Sequence, residues 1–492
     1  MQLKELIQGL DAELRDKALL SELNTEIGGI AYDSRKVKPG DVFVCIIGEK
    51  TDGHNYIDAA IASGAAAVIA MRGNAFADTA AVTVVYTGNT RAALAHISNV
   101  FYGYPSRSLK LIGVTGTNGK TSVTYLLKTI LEHAHKKVGL IGTNQNMIGD
   151  KVVETSYTTP ESLELQQLLR EMLQSGVEYV VMEVSSHALE QLRVQGCMFE
   201  TALFTNLTHD HLDYHRDMES YYRAKCKLFD MCKTAVINID DEHGKRLASE
   251  VKCPNIAFTA EAAGGGADML CASDIKLSVR GASFMASYGG STGVMRIGML
   301  GRFSVYNALA AMGAAIQLGF TMDDAQKGLI IAQGVKGRAE MVSINKDYAV
   351  IIDYAHTPDG LKNILSSVRE FAQGRIVTLF GCGGDRDPSK RAPMGEAAGE
   401  WSDFCIVTSD NPRTEVPAAI IAQILPGMEQ SGCAYIAIEN RREAIRYALE
   451  HAQTGDTIVL AGKGHETYQI IGNTKFDFDE RDIVRDITRE LQ

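Results

Sequence analysis

The segment Gly116-Thr117-Asn118-Gly119-Lys120-Thr121, followed by Ser122, combines residue types that handle phosphate. Glycines let the backbone approach an anion, and successive N–H groups at a helix N-terminus can cradle it. Lys120 can reach the outer phosphates of a nucleotide, and Thr121 can ligate magnesium. The spacing departs from the general GxxxxGK[ST] pattern, because Val114 occupies the place of its first glycine. The flanks supply the context: LKLIGVTG reads as a buried strand and TSVTYLLKTILEHAH as an amphipathic helix. A strand, this loop and a helix together predict nucleotide binding rather than an ordinary glycine-rich turn.

Further chemistry lies at other strand ends. Glu183 closes VVMEVSSH, with His187 just beyond it, and the run from Asn206 to His215 carries His209, His211 and His215. Acidic and imidazole groups at adjacent strand ends suit a nucleotide-bound magnesium. The histidines would suit zinc as well, but no cysteine pair or HExxH helix accompanies them. A solvated histidine-containing loop is the plainer alternative. Lys225 sits in YYRAKCKLF, a helix pattern with Tyr221, Tyr222, Leu228 and Phe229 on or near the buried side. A surface lysine is the ordinary expectation there; turned toward a magnesium cleft, it would oppose the cation unless neutralised or modified. Four polar loops follow later apolar strands: Asp353–His356, Gly384–Arg386, Asp410-Asn411-Pro412-Arg413, and Gly462 through Glu466. Arginines facing acidic groups suit a zwitterionic amino acid, since guanidinium grips a carboxylate bidentately and carboxylates hold an ammonium.

The elements that must position these residues alternate along the chain. DVFVCIIG and AVTVVYTG read as strands, and YIDAAIASGAAAVIA as a helix running into a strand. After the connector FYGYPSRSLK come VGLIGT, YVVMEVSS, TALFTNL and TAVINID with helices between them, which implies a mostly parallel sheet covered on both faces. Residues 260–300 break this rhythm and predict an antiparallel edge or flap; VYNALAAMGAAIQLG and DDAQKGLIIA then read as helices. A third alternating series begins near Gly337 with YAVIIDYAH, RIVTLFGCGG, DFCIVTSDN, AYIAIE and DTIVLAGKGH. The expected fold is therefore α/β in three domains, 1–105, 106–335 and 336–492, with a central P-loop-type mostly parallel sheet and a C-terminal Rossmann-like domain.

Bulk properties agree with such a fold. The 492 residues exceed a single core, and 45% hydrophobic with 22% charged residues is ordinary globular composition. The formal charge of -11 disfavours nucleic-acid binding and requires anionic ligands to meet local positive clefts. The start lacks a signal-peptide core, no run is long enough to span a membrane, and nine cysteines show no CxxC pair. Cys45, Cys197 and Cys382 read as small buried hydrophobes. A cytoplasmic location, without disulfides, is expected.

TGTNGKT, EVSSH, the Asn206–His211 segment, Ala224-Lys225, GRFSVYNALAA, GRAE and DYAHTPDG, in this order, resemble the Mur ligase family over nearly the whole chain. DSRKVKPGDVF, TTPES and DNPR are similar to its diaminopimelate-adding members. The resemblance implies a cytoplasmic, monomeric, ATP- and Mg2+-dependent amide-bond ligase of peptidoglycan precursor synthesis. Its substrates would be UDP-N-acetylmuramoyl-L-alanyl-D-glutamate and meso-diaminopimelate, with no nucleic acid or membrane as partner. It further implies that Ser34 and the turn Glu49, Lys50 and Thr51 contact the UDP-muramoyl portion, and that Thr158, Thr159, Ser185, Gln191 and Arg193 hold the remainder. Gly116 through Ser122, with Asn307 and Arg338, would bind ATP. Thr121, Glu183, His211 and a carboxylated Lys225 would serve magnesium, and Lys120, Lys225 and His211 catalysis. Arg386, Asp410, Asn411, Pro412, Arg413, Gly462 and Glu466 would form the diaminopimelate pocket. Tyr157 departs from relatives that carry Asn before the paired threonines. The rival readings are an L-lysine-adding ligase, whose substrate would leave Arg413 without a carboxylate, and a non-catalytic UDP-precursor-binding protein, for which loss of Lys120, Glu183 or His211 would argue. Folylpolyglutamate synthase shares the phosphate loop but does not account for DSRKVKPGD or DNPR.

Overall fold

The computed structural model describes residues 1–14, 22–48, 51–74, 77, 80, 82–153, 157–261, 266, 268–278, 280–332 and 334–491. Apolar runs bounded by turn residues make its strands, which gather into three main sheets. The first holds β1 (Ala12–Leu14), β2 (Gly29–Ala31), β3 (Asp41–Val44), β4 (Ala67–Met71) and β5 (Thr83–Thr87), in the order β1-β5-β4-β3-β2. It is parallel except for β1 at one edge. Helix Thr90–Phe101 follows β5; Asn89 starts it by accepting the N–H groups of Arg91 and Ala92 on its side-chain oxygen.

The second sheet contains β6 (Lys110–Thr115), β7 (Val138–Ile141), β8 (Asn146–Ile148), β9 (Lys151–Val153), β10 (Tyr179–Glu183), β11 (Phe199–Phe204), β12 (Cys232–Asn238), β13 (Asn255–Thr259), β14 (Met269–Ser278), β15 (Gly281–Tyr288) and β16 (Ser291–Ile297). Their order is β16-β15-β14-β13-β12-β11-β6-β10-β7-β8-β9. The middle strands are parallel, while β14, β15 and β16 form the antiparallel extension expected from residues 260–300. The hairpin β8–β9 at the other edge has strands of only three residues, too short to register as alternation. Helix Lys120–His133 buries Val123, Leu126, Leu127, Ile130 and Leu131, an apolar stripe at helical spacing. The alanine-rich helix Arg302–Gln317 is buried almost all round. A Cβ at its Gly313 would lie 2.7 Å from Val236 on β12, so absence of a side chain sets that close approach.

The third sheet has β17 (Glu340–Met341), β18 (Ala349–Asp353), β19 (Ile376–Phe380), β20 (Phe404–Val407), β21 (Tyr435–Ala437) and β22 (Thr457–Ala461), ordered β17-β18-β22-β19-β20-β21. All but β17 run parallel, so the polar loops after β18, β19, β20 and β22 emerge at one sheet end. A separate hairpin, β23 (Tyr468–Ile471) with β24 (Thr474–Asp477), follows the last of these loops. Its exposed residues gave no strand pattern. Cys45, Cys197 and Cys382 are buried and unpaired, as expected of small hydrophobes. No described helix is long and apolar enough to cross a membrane.

Helices Arg391–Trp401 and Pro417–Ser431 cross backbone to backbone in the third unit: a Cβ at Gly395 would stand 2.5 Å from the Ile424 carbonyl oxygen. Gly395→Val should therefore cost at least about 1–3 kcal/mol by overpacking, read as a lowered urea midpoint. Gly334→Ala, where an added Cβ meets nothing within 4 Å, should leave the midpoint unchanged. An unchanged midpoint for Gly395→Val would contradict the packing described.

Candidate active site

The loop after β6 has the backbone that its glycines permit. Gly116 and Gly119 have φ of 146° and 88°, and Gly119 caps helix Lys120–His133. Added side chains would collide with Thr205 at Gly116 and with the Asn307 carboxamide at Gly119. Those collisions also locate the neighbours: β11 leads into one side of the loop, and helix Arg302–Gln317 delivers Asn307 to the other. The segment after β11 laces the loop down. Thr117 N–H donates to Asn206 O (2.9 Å), Asn118 N–H to Asn206 Oδ1 (2.9 Å), and Thr205 Oγ1 to Asn118 O (2.6 Å). Thr117 Oγ1 lies 3.2 Å from Tyr221 OH and accepts from Thr208 N–H. Thr205, Asn206 and Tyr221 are thus supporting residues that no phosphate-loop spacing reveals.

Two lysines meet at this loop. Lys120 Nζ donates to Gly116 O (3.0 Å) and Thr117 O (2.8 Å), while Lys225 Nζ donates to the same Gly116 O at 2.8 Å. Lys225 is 1% exposed, so the expectation of a surface lysine is corrected. Helix Met218–Cys226 turns Tyr221, Tyr222, Ala224 and Lys225 into the protein together. Burial holds the Lys225 ammonium well below the usual lysine range, and the charge of Lys120 pushes the same way against the pull of Asp210. Burial lowers Lys120 too; Glu183 and Asp210 oppose that, and Arg338 adds to it. Arg338 reaches this neighbourhood from the start of the third unit, its guanidinium 4.9 Å from the Tyr354 ring centre. Asn144 Nδ2 donating to Lys336 O (3.2 Å) ties the same segment to the central unit.

Glu183, at the end of β10, pairs in register with Val114 and is 1% exposed. Its two oxygens accept from Thr143 N–H (2.9 Å) and Thr143 Oγ1 (3.0 Å). His211 lies on a loop with φ of 54°, its side chain 46% exposed, 3.5 Å from Asp210 and edge-on to His187. Among the described residues no three His, Cys, Asp or Glu side chains converge on a point that would hold a metal. Magnesium takes one or two hard protein oxygens and completes its shell with phosphate and water. The hydroxyl of Thr121 and the carboxylate of Glu183 are such donors. Thr121 and Ser122 are buried at the helix start.

A second group links the first and central units. Thr143 Oγ1, its proton given to Glu183, lies 3.1 Å from Thr158 Oγ1; Thr159 Oγ1 donates to Glu183 O (2.8 Å), and Ser185 N–H to Thr159 Oγ1 (3.1 Å). Arg193 donates to Thr159 O (2.9 Å) and to Gln191 Oε1 (2.6 Å). Glu161 stands between Arg91 of the first unit (3.1 Å) and Arg193 (3.6 Å). Beside it a cavity of about 500 Å³ is lined by Tyr32, Asp33, Lys36, Tyr157, Glu161 and Glu164, among others. Ser34 begins the short turn Ser34–Lys36 next to this lining. Thr51 is exposed and accepts from Gly48 N–H (2.9 Å); Glu49 and Lys50 lie outside the described residues.

The loops of the third sheet form another cluster. Asn411 Nδ2 donates to Glu466 Oε2 (2.8 Å), and the buried Lys463 donates to Asn411 Oδ1 (3.2 Å) and Glu466 Oε2 (3.1 Å). Arg413, at φ of 51°, donates to Gly384 O (2.7 Å), and its backbone pairs with hairpin β23–β24 through Ile470 and Gly472. Gly384 N–H donates to Asn411 O (3.0 Å), next to the buried Pro412. Gly462 (φ 114°) brings its backbone against Asp410: a Cβ would lie 2.6 Å from Oδ2. Arg386 is exposed and turns to Asp385 O (3.3 Å), so it stands at the rim of the cluster.

Family models match three stretches: the Mur ligase family catalytic domain at residues 26–102, the Mur ligase middle domain at 114–315, and the Mur ligase glutamate ligase domain at 337–464. The UDP-N-acetylmuramoyl-L-alanyl-D-glutamate–2,6-diaminopimelate ligase of Caldanaerobacter subterraneus subsp. tengcongensis is 49% identical over 495 residues, covering 100% of both chains. The protein of the same name from Syntrophomonas wolfei subsp. wolfei is 46% identical, covering 99% of each. A solved structure of a ligase of that name superposes with a TM-score of 0.70 at 32% identity, covering 100% of this chain and 99% of its own.

Lys120→Ala should abolish detectable binding of a fluorescent ATP analogue, measured by anisotropy, because it removes the ammonium that the phosphate loop holds at its mouth. Unaltered nucleotide affinity in the variant would remove the phosphate-loop assignment.

Proposed function

The chain belongs to the Mur ligase family, and from that premise we propose that it joins meso-2,6-diaminopimelate to UDP-N-acetylmuramoyl-L-alanyl-D-glutamate, with hydrolysis of ATP to ADP and phosphate, in peptidoglycan precursor synthesis. The observation that carries the ligase chemistry is the convergence of Lys120 and buried Lys225 on the Gly116 carbonyl beside Glu183. In this reading residues 1–105 bind the UDP portion, 106–335 bind ATP, and 336–492 bind the amino acid. The enzyme works in the cytoplasm as a monomer.

A carboxylate is a poor acyl donor, so the reaction begins with attack of the D-glutamyl carboxylate on the terminal phosphoryl group. The resulting acyl phosphate carries a good leaving group. The diaminopimelate amine attacks its carbonyl, and the tetrahedral intermediate collapses to amide and phosphate. Backbone N–H groups at the start of helix Lys120–His133 and the Lys120 ammonium hold the phosphates and offset negative charge as the phosphoryl group moves. Asn307 and Arg338 complete the nucleotide site. Magnesium, held by Thr121 and Glu183 with His211 and Lys225 beside them, would neutralise phosphate charge. Closure of the three units around the substrates excludes water, which would otherwise hydrolyse the acyl phosphate.

Lys225 fits this scheme as a carbamate. An ammonium buried against Lys120 beside a cation site is electrostatically misplaced, whereas a carbamate is an anion. At the acceptor site, Glu161, Arg193 and the paired threonines line the way from the 500 Å³ cavity to Glu183, supporting the placement of the dipeptide there. In the third unit, Arg413, helped by Arg386, takes the distal carboxylate of diaminopimelate, and Glu466 with Asp410 takes ammonium. Lys463 already offsets one carboxylate at 3.1 Å, so the arginines favour a ligand with more than one carboxylate. L-Lysine would leave Arg413 without an anion.

Lys225→Ala should be nearly inactive in an ADP-release assay and partly regain turnover with a short-chain carboxylate such as formate. Full activity of the variant without rescue would show that the site needs no carbamate. Arg413→Ala should raise the KM for diaminopimelate tens- to thousands-fold, as expected from about 2–5 kcal/mol for one lost partner of a desolvated charge pair, with little change for ATP. Intact diaminopimelate use in that variant would overturn the specificity assignment and leave the ligase assignment standing.

A further inference from the structure

Arg441 is the first residue of helix Arg441–Glu450, and its side chain is 0% exposed. Helix starts rarely carry a buried cation, because the helix dipole disfavours positive charge there. Its partners explain the placement. Nε donates to Glu480 Oε1 (2.8 Å), itself fully buried at the start of helix Glu480–Glu490. Nη2 donates to Ala461 O (2.8 Å), and Nη1 approaches Ser409 O (3.5 Å) and Asp410 Oδ2 (4.0 Å). Ala461 and Ser409 immediately precede Gly462 and Asp410. The strands leading to them, β22 and β20, are not neighbours, since β19 runs between them. One guanidinium therefore spans two loops that the sheet's own hydrogen bonds do not join.

The state of Asp410 gives this bridge its meaning. Oδ1 accepts the Asn411 N–H at 2.7 Å, but Oδ2 is buried and accepts no hydrogen bond within the protein. At 4.0 Å, Arg441 supports the charge without occupying the lone pairs. An orphan carboxylate oxygen beside the Gly462 backbone is an acceptor reserved for a donor from outside. Glu480 meanwhile offsets the Arg441 charge from the Nε side, so the pair adds no net charge to the interior.

We propose that Arg441 is a positioning residue of the amino-acid site: it fixes the distance between the Asp410 and Gly462 loops and holds Asp410 Oδ2 ready for the ammonium of the incoming amino acid. This rests on assigning that cluster to the amino-acid substrate. Arg441→Lys keeps a charge for Glu480 but loses the planar fork that reaches both loops. Arg441→Met with Glu480→Met replaces the whole buried pair by apolar groups of similar reach, which folds without a stranded charge.

The experiment measures KM for diaminopimelate, ATP and the UDP-dipeptide, with kcat, for both variants and for Asp410→Asn. Both Arg441 variants should raise the diaminopimelate KM at least tenfold while the other two KM values stay within twofold. A diaminopimelate KM near wild type in the folded double variant, or three KM values rising together, would overturn the positioning role. If Asp410→Asn raises that KM and the Arg441 variants do not, Arg441 alone is misassigned. If Asp410→Asn also leaves diaminopimelate use intact, the amino-acid site itself is misplaced and the inference falls with it.

Discussion

The half-buried Lys120 and the buried Lys225 donate to one carbonyl oxygen, that of Gly116, and the rest of the molecule is arranged around what that requires. Like charges 4 Å apart in a protein environment repel by about 4 kcal/mol, so such a pair persists only where anions balance it. Glu183 and Asp210 supply part of that balance, and nucleotide phosphates and a carbamate on Lys225 would supply more. The carbonyl itself is aimed by the φ of 146° at Gly116, a conformation that a side chain there would block against Thr205. β6 and β11 in parallel register bring those two residues together. The central sheet thus serves to hold one loop in a shape that glycine permits and the segment after β11 fastens.

The outer units connect to that centre through polar contacts. Glu161 is shared by Arg91 from the first unit and Arg193 from the second, and Arg338 carries positive charge from the third toward Lys120. Polar contacts of this kind, typical of interfaces between domains, can be exchanged for others at modest cost. The buried side chains gather mainly in separate clusters for the three sheets, although Leu300 and Phe303 of the central unit pack with the core of the third and Leu163 packs beside that of the first.

Much of this was legible from the residues themselves. The phosphate loop was readable because glycine spacing, a buried strand and an amphipathic helix are local signals, and the polar loops of the third sheet were readable because each ends an apolar run. Lys225 was legible only through the family resemblance: YYRAKCKLF put Tyr221 and Tyr222 on the buried side and left the lysine as an ordinary surface residue, whereas the helix turns it inward with them. Thr143, which holds both oxygens of Glu183, lies two residues beyond β7, and only the pairing of β7 with β10 makes them neighbours. Arg441 and Glu480 read as ordinary charges on amphipathic helices, and their burial depends on how two distant helix starts meet. The hairpins β8–β9 and β23–β24 escaped because strands of three or four residues carry too little alternation.

The central claim is that the glutamyl carboxylate is activated by phosphorylation before the amine attacks. It is tested most directly with UDP-N-acetylmuramoyl-L-alanyl-D-glutamate labelled with oxygen-18 in its side-chain carboxylate, incubated with ATP, magnesium and meso-diaminopimelate. Phosphorus NMR of the phosphate released should show one labelled oxygen per turnover, carried over when the acyl phosphate collapses. Unlabelled phosphate accompanying amide formation would contradict the account.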